Sequence, residues 1–380
     1  MKICYLAGSR IPSLEANSVQ VMKMCAAFAE LGHTVTLFAK KNRHLNQEPY
    51  NFYGVKPIFE LYYMGMRPKR RGRIAEAIFG RRLRKAVKPS SPDLIYSRHP
   101  LALRAVASLG LPFVLEAHRL SEESYREEGL FRRPNFSRLV VITKALKEDY
   151  LTLFPSLDES KVLIAPDGAD ATLANPNERS ASEGFTVGYV GQLYGGKGME
   201  IISELPALCP WAHFHIVGGR EEDMIFWRSR LVSKPNITLH GFVPHRDTGA
   251  FVNAFDVVLA PYQRRVETGG GFEIGRWMSP LKVFEYMSHG KAIIASDLPV
   301  LREVLEDGRN ALLVPPSDPD SWAKAIKVLC DDAPFRERLG QQALKDFNEK
   351  YSWFRRARSV LDGLDVCRRQ SHIIRNSGPP

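Results

Sequence analysis

The segment Gly191-Gln-Leu-Tyr-Gly-Gly196-Lys197-Gly198 sets closely spaced glycines beside a lysine. Glycines let backbone N–H groups approach a phosphate, and the ammonium can meet its charge. The spacing comes near a P-loop but fails at one decisive place. Glycine follows Lys197, so the hydroxyl that would hold magnesium is absent. Phosphate contact without P-loop chemistry is the reading, with a bare turn after a strand as its alternative. A second segment, Ser279-Pro-Leu-Lys-Val-Phe-Glu-Tyr-Met-Ser-His-Gly290, reads as a short helix. Ser279 suits the N-cap, Pro280 the first helical position and Gly290 the stop. Its N-terminal amides and positive dipole end form an anion site. Glu285, about one turn in, is a candidate acceptor for a pair of hydroxyls, unless it is a merely solvated helix glutamate.

Three further positions stand just past apolar, strand-like runs, where α/β folds place ligand contacts. They are Gly8-Ser9, His118 in PFVLEAHRL, and Asp167-Gly168 after KVLIAP. A lone histidine or a turn glycine is often incidental, so each keeps its bland reading here. No His, Cys, Asp or Glu cluster has metal spacing, and Asp-x-Asp, G-x-S-x-G and HExxH are all missing. The first strand–helix junction, AGSRIPSLEANS, lacks GxGxxG, which weakens a dehydrogenase reading.

The elements that must position these residues alternate strand and helix, twice over. KICYLA, TVTLFA, DLIYS, PFVLEA, LVVIT and KVLIAP read as parallel strands covered on both faces, being apolar almost throughout. Ser18 to Leu31 reads as a helix with Val19, Met22, Cys25, Ala26 and Ala29 on one face and Gly32 as its stop. A polar stretch from Asn175 to Gly184 reads as a linker. The pattern then restarts with FTVGYVG, HFHIVGG, ITLHGFV, DVVLAP, KAIIAS and ALLVPP. The expected fold class is α/β: two Rossmann-like domains with parallel sheets facing a central cleft. The domains run over residues 1–175 and 176–351, and a helix and disordered tail over 352–380 return toward the first.

A chain of 380 residues suits two domains, and 44% hydrophobic with 25% charged residues is an ordinary globular composition. Five scattered cysteines suggest neither disulfides nor a zinc cage. With no signal peptide or membrane span legible, a cytoplasmic protein is expected. The net charge of +11 points to anionic partners. It concentrates between Arg67 and Lys88, where ten lysines and arginines face the single acid Glu76. Phe79, Leu83 and Val87 recur every four residues there, giving a basic amphipathic helix. Either its apolar stripe enters an anionic membrane surface, or the stripe packs on its own domain. Nucleic acid is not expected, because no binding motif accompanies the charge.

Taken together, these segments resemble family 4 of the glycosyltransferases, a retaining group with the GT-B fold. The carriers are Asn17–Phe38, Val187–Glu200, FHIVGG, LHGFVP and Ser279–Pro316. The resemblance implies a metal-independent enzyme that needs no cofactor and moves a sugar from a UDP- or GDP-sugar to a glycan or lipid-linked acceptor. It assigns Lys197 to the diphosphate leaving group and Glu285 to the ribose hydroxyls. Leu281, Gly8 and Ser9 fall near phosphate or sugar, His118 beside the reacting sugar, and Phe242 and Val243 at the nucleobase. Two positions depart from the family. Trp277, eight residues before Glu285, replaces a glutamate, with Glu273 as a substitute to consider. Gln192, within the diphosphate site, replaces an arginine. The rival readings are a nucleotide-sugar epimerase on the same fold, and a basic membrane-binding protein with a vestigial nucleotide cleft.

Overall fold

The computed structural model describes residues 1–45, 47–68, 73–120, 124–172, 184–267 and 273–364. The chain forms two compact units. The first takes Met1–Ile142 and Leu146–Ala165, and the chain returns to it over the described residues 356–364. The second takes Thr143–Ala145 and Pro166–Arg355.

The first unit holds strands β1 (Lys2–Ile11), β2 (Thr34–Lys41), β3 (Glu60–Tyr63), β4 (Leu94–Ser97), β5 (Phe113–Ala117), β6 (Phe136–Val141) and β7 (Val162–Ile164). They make one parallel sheet in the order β3-β2-β1-β4-β5-β6-β7. The order reverses between β1 and β4, which is where such sheets bind ligands at their carboxyl ends. All of β4 and β5 is buried, as the apolar runs predict. β3 (ELYY) is the strand that periodicity does not reveal. It lies on the sheet edge with Tyr62 and Tyr63 exposed, so no buried run announces it. The helix Ala16–Glu30 is buried continuously from Ser18 to Phe28 rather than along one stripe.

The second unit holds β8 (Phe185–Val190), β9 (Ala212–Val217), β10 (Ile237–Gly241), β11 (Val257–Ala260), β12 (Ala292–Ser296) and β13 (Leu312–Val314). These pair in parallel in the order β10-β9-β8-β11-β12-β13. All six predicted strands are present, and the reversal falls between β8 and β11. The glycine-rich segment begins at Gly191, directly after β8, and Pro261-Tyr262 directly follow β11. The chemistry-bearing loop therefore stands at the sheet's switch point.

The basic helix runs over Arg73–Val87. Lys69, Arg70 and Arg71 of that stretch lie outside the described residues, as do 175–183 of the expected linker. Phe79, Leu83 and Val87 are buried at 5%, 0% and 0% exposure, which overturns their reading as a membrane-inserting stripe. The helix packs on the neighbouring helix Pro100–Val106 instead, and Arg84 donates to the Ala105 carbonyl at 2.7 Å. On the opposite face stand Ile74 and Ile78, 80% and 57% exposed, with the exposed Arg81, Arg82 and Lys85. At about 100° per residue these five side chains share an arc of about 100°. Among the described residues no helix is long and apolar enough to cross a membrane.

Candidate functional site

In the second unit the chain turns sharply after β8. Gly196 (φ 80°) and Gly198 (φ 96°) hold left-handed conformations. A side chain would strike backbone at both positions: a Cβ would lie 2.2 Å from the Arg265 carbonyl oxygen at Gly196, and 2.1 Å from that of Pro261 at Gly198. Only glycine satisfies both demands. No serine or threonine could occupy position 198, so the departure from a P-loop is enforced by packing. Lys197, held between these glycines, is half-buried. Its ammonium lies 5.2 Å from the centre of the Tyr194 ring and 5.1 Å from that of Tyr262. Burial pushes its pKa down to about 8.

The helix Leu281–Ser288 approaches the same turn. The predicted cap differs in detail. Pro280 occupies the cap position and the helix starts at Leu281. The Ser279 hydroxyl instead accepts the Asp167 amide at 2.8 Å, so a long-range partner replaces the local one. Gly168 follows, with the Tyr351 carbonyl 2.5 Å from where its Cβ would be, which gives the Asp167-Gly168 pair a packing role.

Lys282, unremarked in the sequence, reaches back across the turn. It is 8% exposed, and its Nζ lies 2.7 Å from the position a Cβ on Gly191 would take. The ammonium sits 3.5 Å above the Tyr189 ring and 5.1 Å from the Tyr262 ring centre, and it has no hydrogen-bond partner. Burial first, and then the like charge of Lys197, hold its pKa well below the ordinary lysine range. A cation–π contact contributes about 0.5–2 kcal/mol. Withdrawing an ammonium from water costs several kcal/mol even after relaxation. The ring alone does not offset that. Beside it, the Oε1 atom of Gln192 is also buried without a partner, while the Gln192 carbonyl accepts the Tyr189 hydroxyl at 2.6 Å.

Glu285 is not simply solvated. Its Oε1 is 2.7 Å from Nε2 of His245, a residue that no sequence motif singles out. Burial would raise the carboxyl pKa, but His245, His289 and Lys282 hold it below the usual range. That bond ties the loop after β10, carrying the exposed Phe242 and the half-buried Val243, to the helix that carries Glu285. Glu273 serves its own turn, since its Oε1 accepts Gly275 N at 2.7 Å and Val266 N at 3.3 Å. Trp277 is half-buried in the following turn, its amide bonded to the Ile274 carbonyl at 2.9 Å.

In the first unit, Gly8 and Ser9 lie in the carboxyl half of β1. The His99 ring packs so closely on Gly8 that its Cδ2 lies 2.3 Å from where a Cβ would be. His118 follows β5, its Nε2 2.6 Å from Oε1 of Glu116. A carboxylate there requires the proton on Nε2 and fixes the ring. Glu116 is fully buried and also accepts Gln20 Nε2 at 2.7 Å, Arg356 Nη2 at 2.9 Å and the Tyr96 hydroxyl. Burial would raise the Glu116 pKa, but the Arg356 guanidinium and the His118 hydrogen bond hold it below the carboxylate range. Arg98 donates to Gln20 Oε1 at 2.7 Å, extending the network. A glutamate inside an otherwise apolar strand run was the available signal for Glu116. Arg356, 240 residues away, left none.

The second unit thus sets two lysines at one glycine turn with a carboxylate oriented by His245 on the adjoining helix, and the first sets an imidazole oriented by a carboxylate. Residues 18–173 match the model of Glycosyltransferase Family 4, and residues 184–332 match Glycosyl transferases group 1. Among curated proteins, the phosphatidyl-myo-inositol mannosyltransferase of Mycolicibacterium smegmatis is 25% identical over 358 residues, covering 88% of this chain and 85% of its own. The D-inositol 3-phosphate glycosyltransferase of Corynebacterium kroppenstedtii is 25% identical over 307 residues, covering 73% of this chain and only 63% of that relative. Among solved structures, a glycosyltransferase from Rickettsia africae superposes with a TM-score of 0.75 at 12% identity, over 99% of this chain and 100% of its own. Anabaena Alr3699/HepE, in complex with UDP and glucose, gives 0.69 at 17% identity, over 95% and 98%.

Proposed function

The chain belongs to family 4 of the glycosyltransferases, with two Rossmann-like units of the GT-B type, and from that premise we propose that it transfers a sugar, with retention, from a nucleoside diphosphate to a lipid-linked acceptor at a membrane surface. The observation that carries the donor half is the turn Gly191–Gly198 at the β8/β11 switch point, holding Lys197 among aromatic rings. Lys197 meets the charge that develops on the departing diphosphate. Glu285, oriented by His245, accepts the ribose hydroxyls, with Phe242 and Val243 toward the base and Leu281 toward the phosphates. A relative solved with UDP and glucose supports this choice of donor.

In the first unit, Gly8, Ser9 and His118 face the sugar and acceptor. The leaving diphosphate takes the acceptor's proton on the face from which it departs, so configuration is kept without a protein nucleophile. The protein's task is then electrostatic preorganisation. A panel of UDP- and GDP-sugars tests this reading. Release of nucleoside diphosphate that requires an acceptor supports transfer, whereas interconversion of donor sugars without acceptor would mean an epimerase.

Metal independence is part of the proposal, motivated by Gly198, where a magnesium-holding hydroxyl would otherwise stand. Turnover is expected to stay within about twofold when contaminating ions are chelated. Loss of activity with rescue by magnesium or manganese would contradict this.

The membrane half rests on the outer face of helix Arg73–Val87. Ile74 and Ile78 offer apolar insertion, while Arg81, Arg82 and Lys85 face anionic head groups at about 1 kcal/mol per cation. Co-sedimentation with anionic vesicles is expected, fading at high salt and with neutral lipid. It should drop when Ile74 and Ile78 become serine, or when Arg81, Arg82 and Lys85 become glutamine. Arg84, engaged with Ala105, is left intact. Equal pelleting of both variants would remove this face from the proposal.

A further inference from the structure

We infer that Lys282 is the second cation of the diphosphate site, replacing from the helix Leu281–Ser288 the charge that Gln192 no longer supplies from the loop. The inference rests on the donor reading above and adds a residue to it. Four observations converge. Lys282 is more than nine-tenths buried, yet its Nζ has no hydrogen-bond partner. It is directed onto the phosphate-type turn, against Gly191. Both Lys282 and Lys197 place their ammoniums 5.1 Å from the same Tyr262 ring, so two cations converge where the protein supplies no anion of its own within hydrogen-bond reach of Lys282. Finally, Gln192 puts no charge into the turn from the loop side, and its buried Oε1 atom has no partner.

A lysine kept for structure would be expected to find a carbonyl or carboxylate. Lys291 does so, donating to the carbonyls of Asn253 and Phe255 at 2.7 and 2.9 Å. Lys282 is instead held over the Tyr189 ring, whose hydroxyl is already committed to the Gln192 carbonyl. A dianionic or trianionic group entering the turn would give both ammoniums their missing acceptor and remove the repulsion between them. The site is thus poised for an anion of multiple charge, and less suited to a single carboxylate. Its specificity follows: a nucleoside diphosphate should gain far more from Lys282 than the bare nucleoside does.

The test compares wild type with Lys282→Met, which keeps an unbranched side chain of similar length without the charge. Affinities for UDP and GDP, and for uridine and guanosine, are measured by calorimetry, together with thermal stability in the absence of ligand. The preference for the diphosphate over its nucleoside should fall about 30-fold or more, as the loss of a charge-assisted contact implies. Unliganded Lys282→Met should be as stable as wild type or more so, because a buried amine without a hydrogen-bond partner is replaced by an apolar side chain. Adding Gln192→Arg to Lys282→Met should recover about tenfold of the lost preference. An unchanged preference in Lys282→Met, or an equal loss for nucleoside and diphosphate, would overturn the inference while leaving the donor reading in place. Wild-type protein that binds neither diphosphate would remove both.

Discussion

Replacing Lys197 by alanine is expected to lower turnover about 100-fold or more with the fold intact, the usual consequence of losing a preorganised charge at a developing anion. The side chain lies outside the apolar cores of the second unit, and its neighbours at the ammonium end are ring faces rather than hydrogen-bond partners. Truncation therefore removes charge from the turn while leaving Gly196 and Gly198 to shape it. The pH dependence carries a sign that distinguishes this role from a packing role. In the empty site burial holds Lys197 at about 8, below the ordinary lysine value. Its charge is therefore present below about pH 8 and is lost as pH rises through that value. The contribution of Lys197 to UDP or GDP affinity should be steady below about pH 7 and weaken progressively above pH 8, with proton uptake on binding in that upper range. Lys197→Arg, which stays protonated, should flatten the alkaline limb. Near wild-type turnover in Lys197→Ala, or an alkaline limb unchanged in Lys197→Arg, would take this residue out of the mechanism.

The sequence makes these groups unequally visible. The glycine turn is local: its spacing, its lysine and the missing hydroxyl all sit within eight residues. Apolar runs make all six strands of the second unit and six of the seven in the first legible, the half-buried edge strands β7 and β10 included. The exception, β3 (ELYY), is a four-residue edge strand with no buried residue. Period alone cannot say which way an amphipathic helix faces. Phe79, Leu83 and Val87 have the spacing of either a membrane face or a packing face, and the partner helix Pro100–Val106 decides. Ser279 departs from its expected cap role for a related reason, since a cap is a local rule and the hydroxyl accepts an amide 112 residues away. The histidine that orients Glu285 and the lysine against Gly191 act through such distant contacts, whereas Glu116 stands only two residues before the His118 it orients. Their meaning arises only once the sheets have brought the strand ends together.

Arg356→Met is expected to destabilise the first unit by about 3–5 kcal/mol. Glu116 and Arg356 are 0% and 2% exposed at their side chains and 2.9 Å apart. Removing one partner of such a pair leaves an uncompensated buried charge, which is far more costly than the pair itself is stabilising. The remaining donors, Gln20, Tyr96 and His118, can hydrogen-bond the carboxylate but do not supply the guanidinium's fixed charge. Arg356 also donates to the Ala165 carbonyl at 3.1 Å, tying the C-terminal helix to the chain just past β7, so that anchor is lost as well. The sign with pH follows from Glu116, whose carboxyl is held below its ordinary value of about 4.5. In the wild type this group's stabilisation is complete above pH 4.5 and declines as pH falls toward its depressed folded value. In Arg356→Met that depression is largely removed, so the decline between about pH 4.5 and pH 2 should be shallower although stability is lower throughout. Glu116→Gln with Arg356→Met removes both charges and should recover part of the loss. Thermal unfolding followed across pH decides the matter. Arg356→Met unfolding within a degree or two of wild type at pH 7, with the same acid slope, would show that the pair does not hold this unit together.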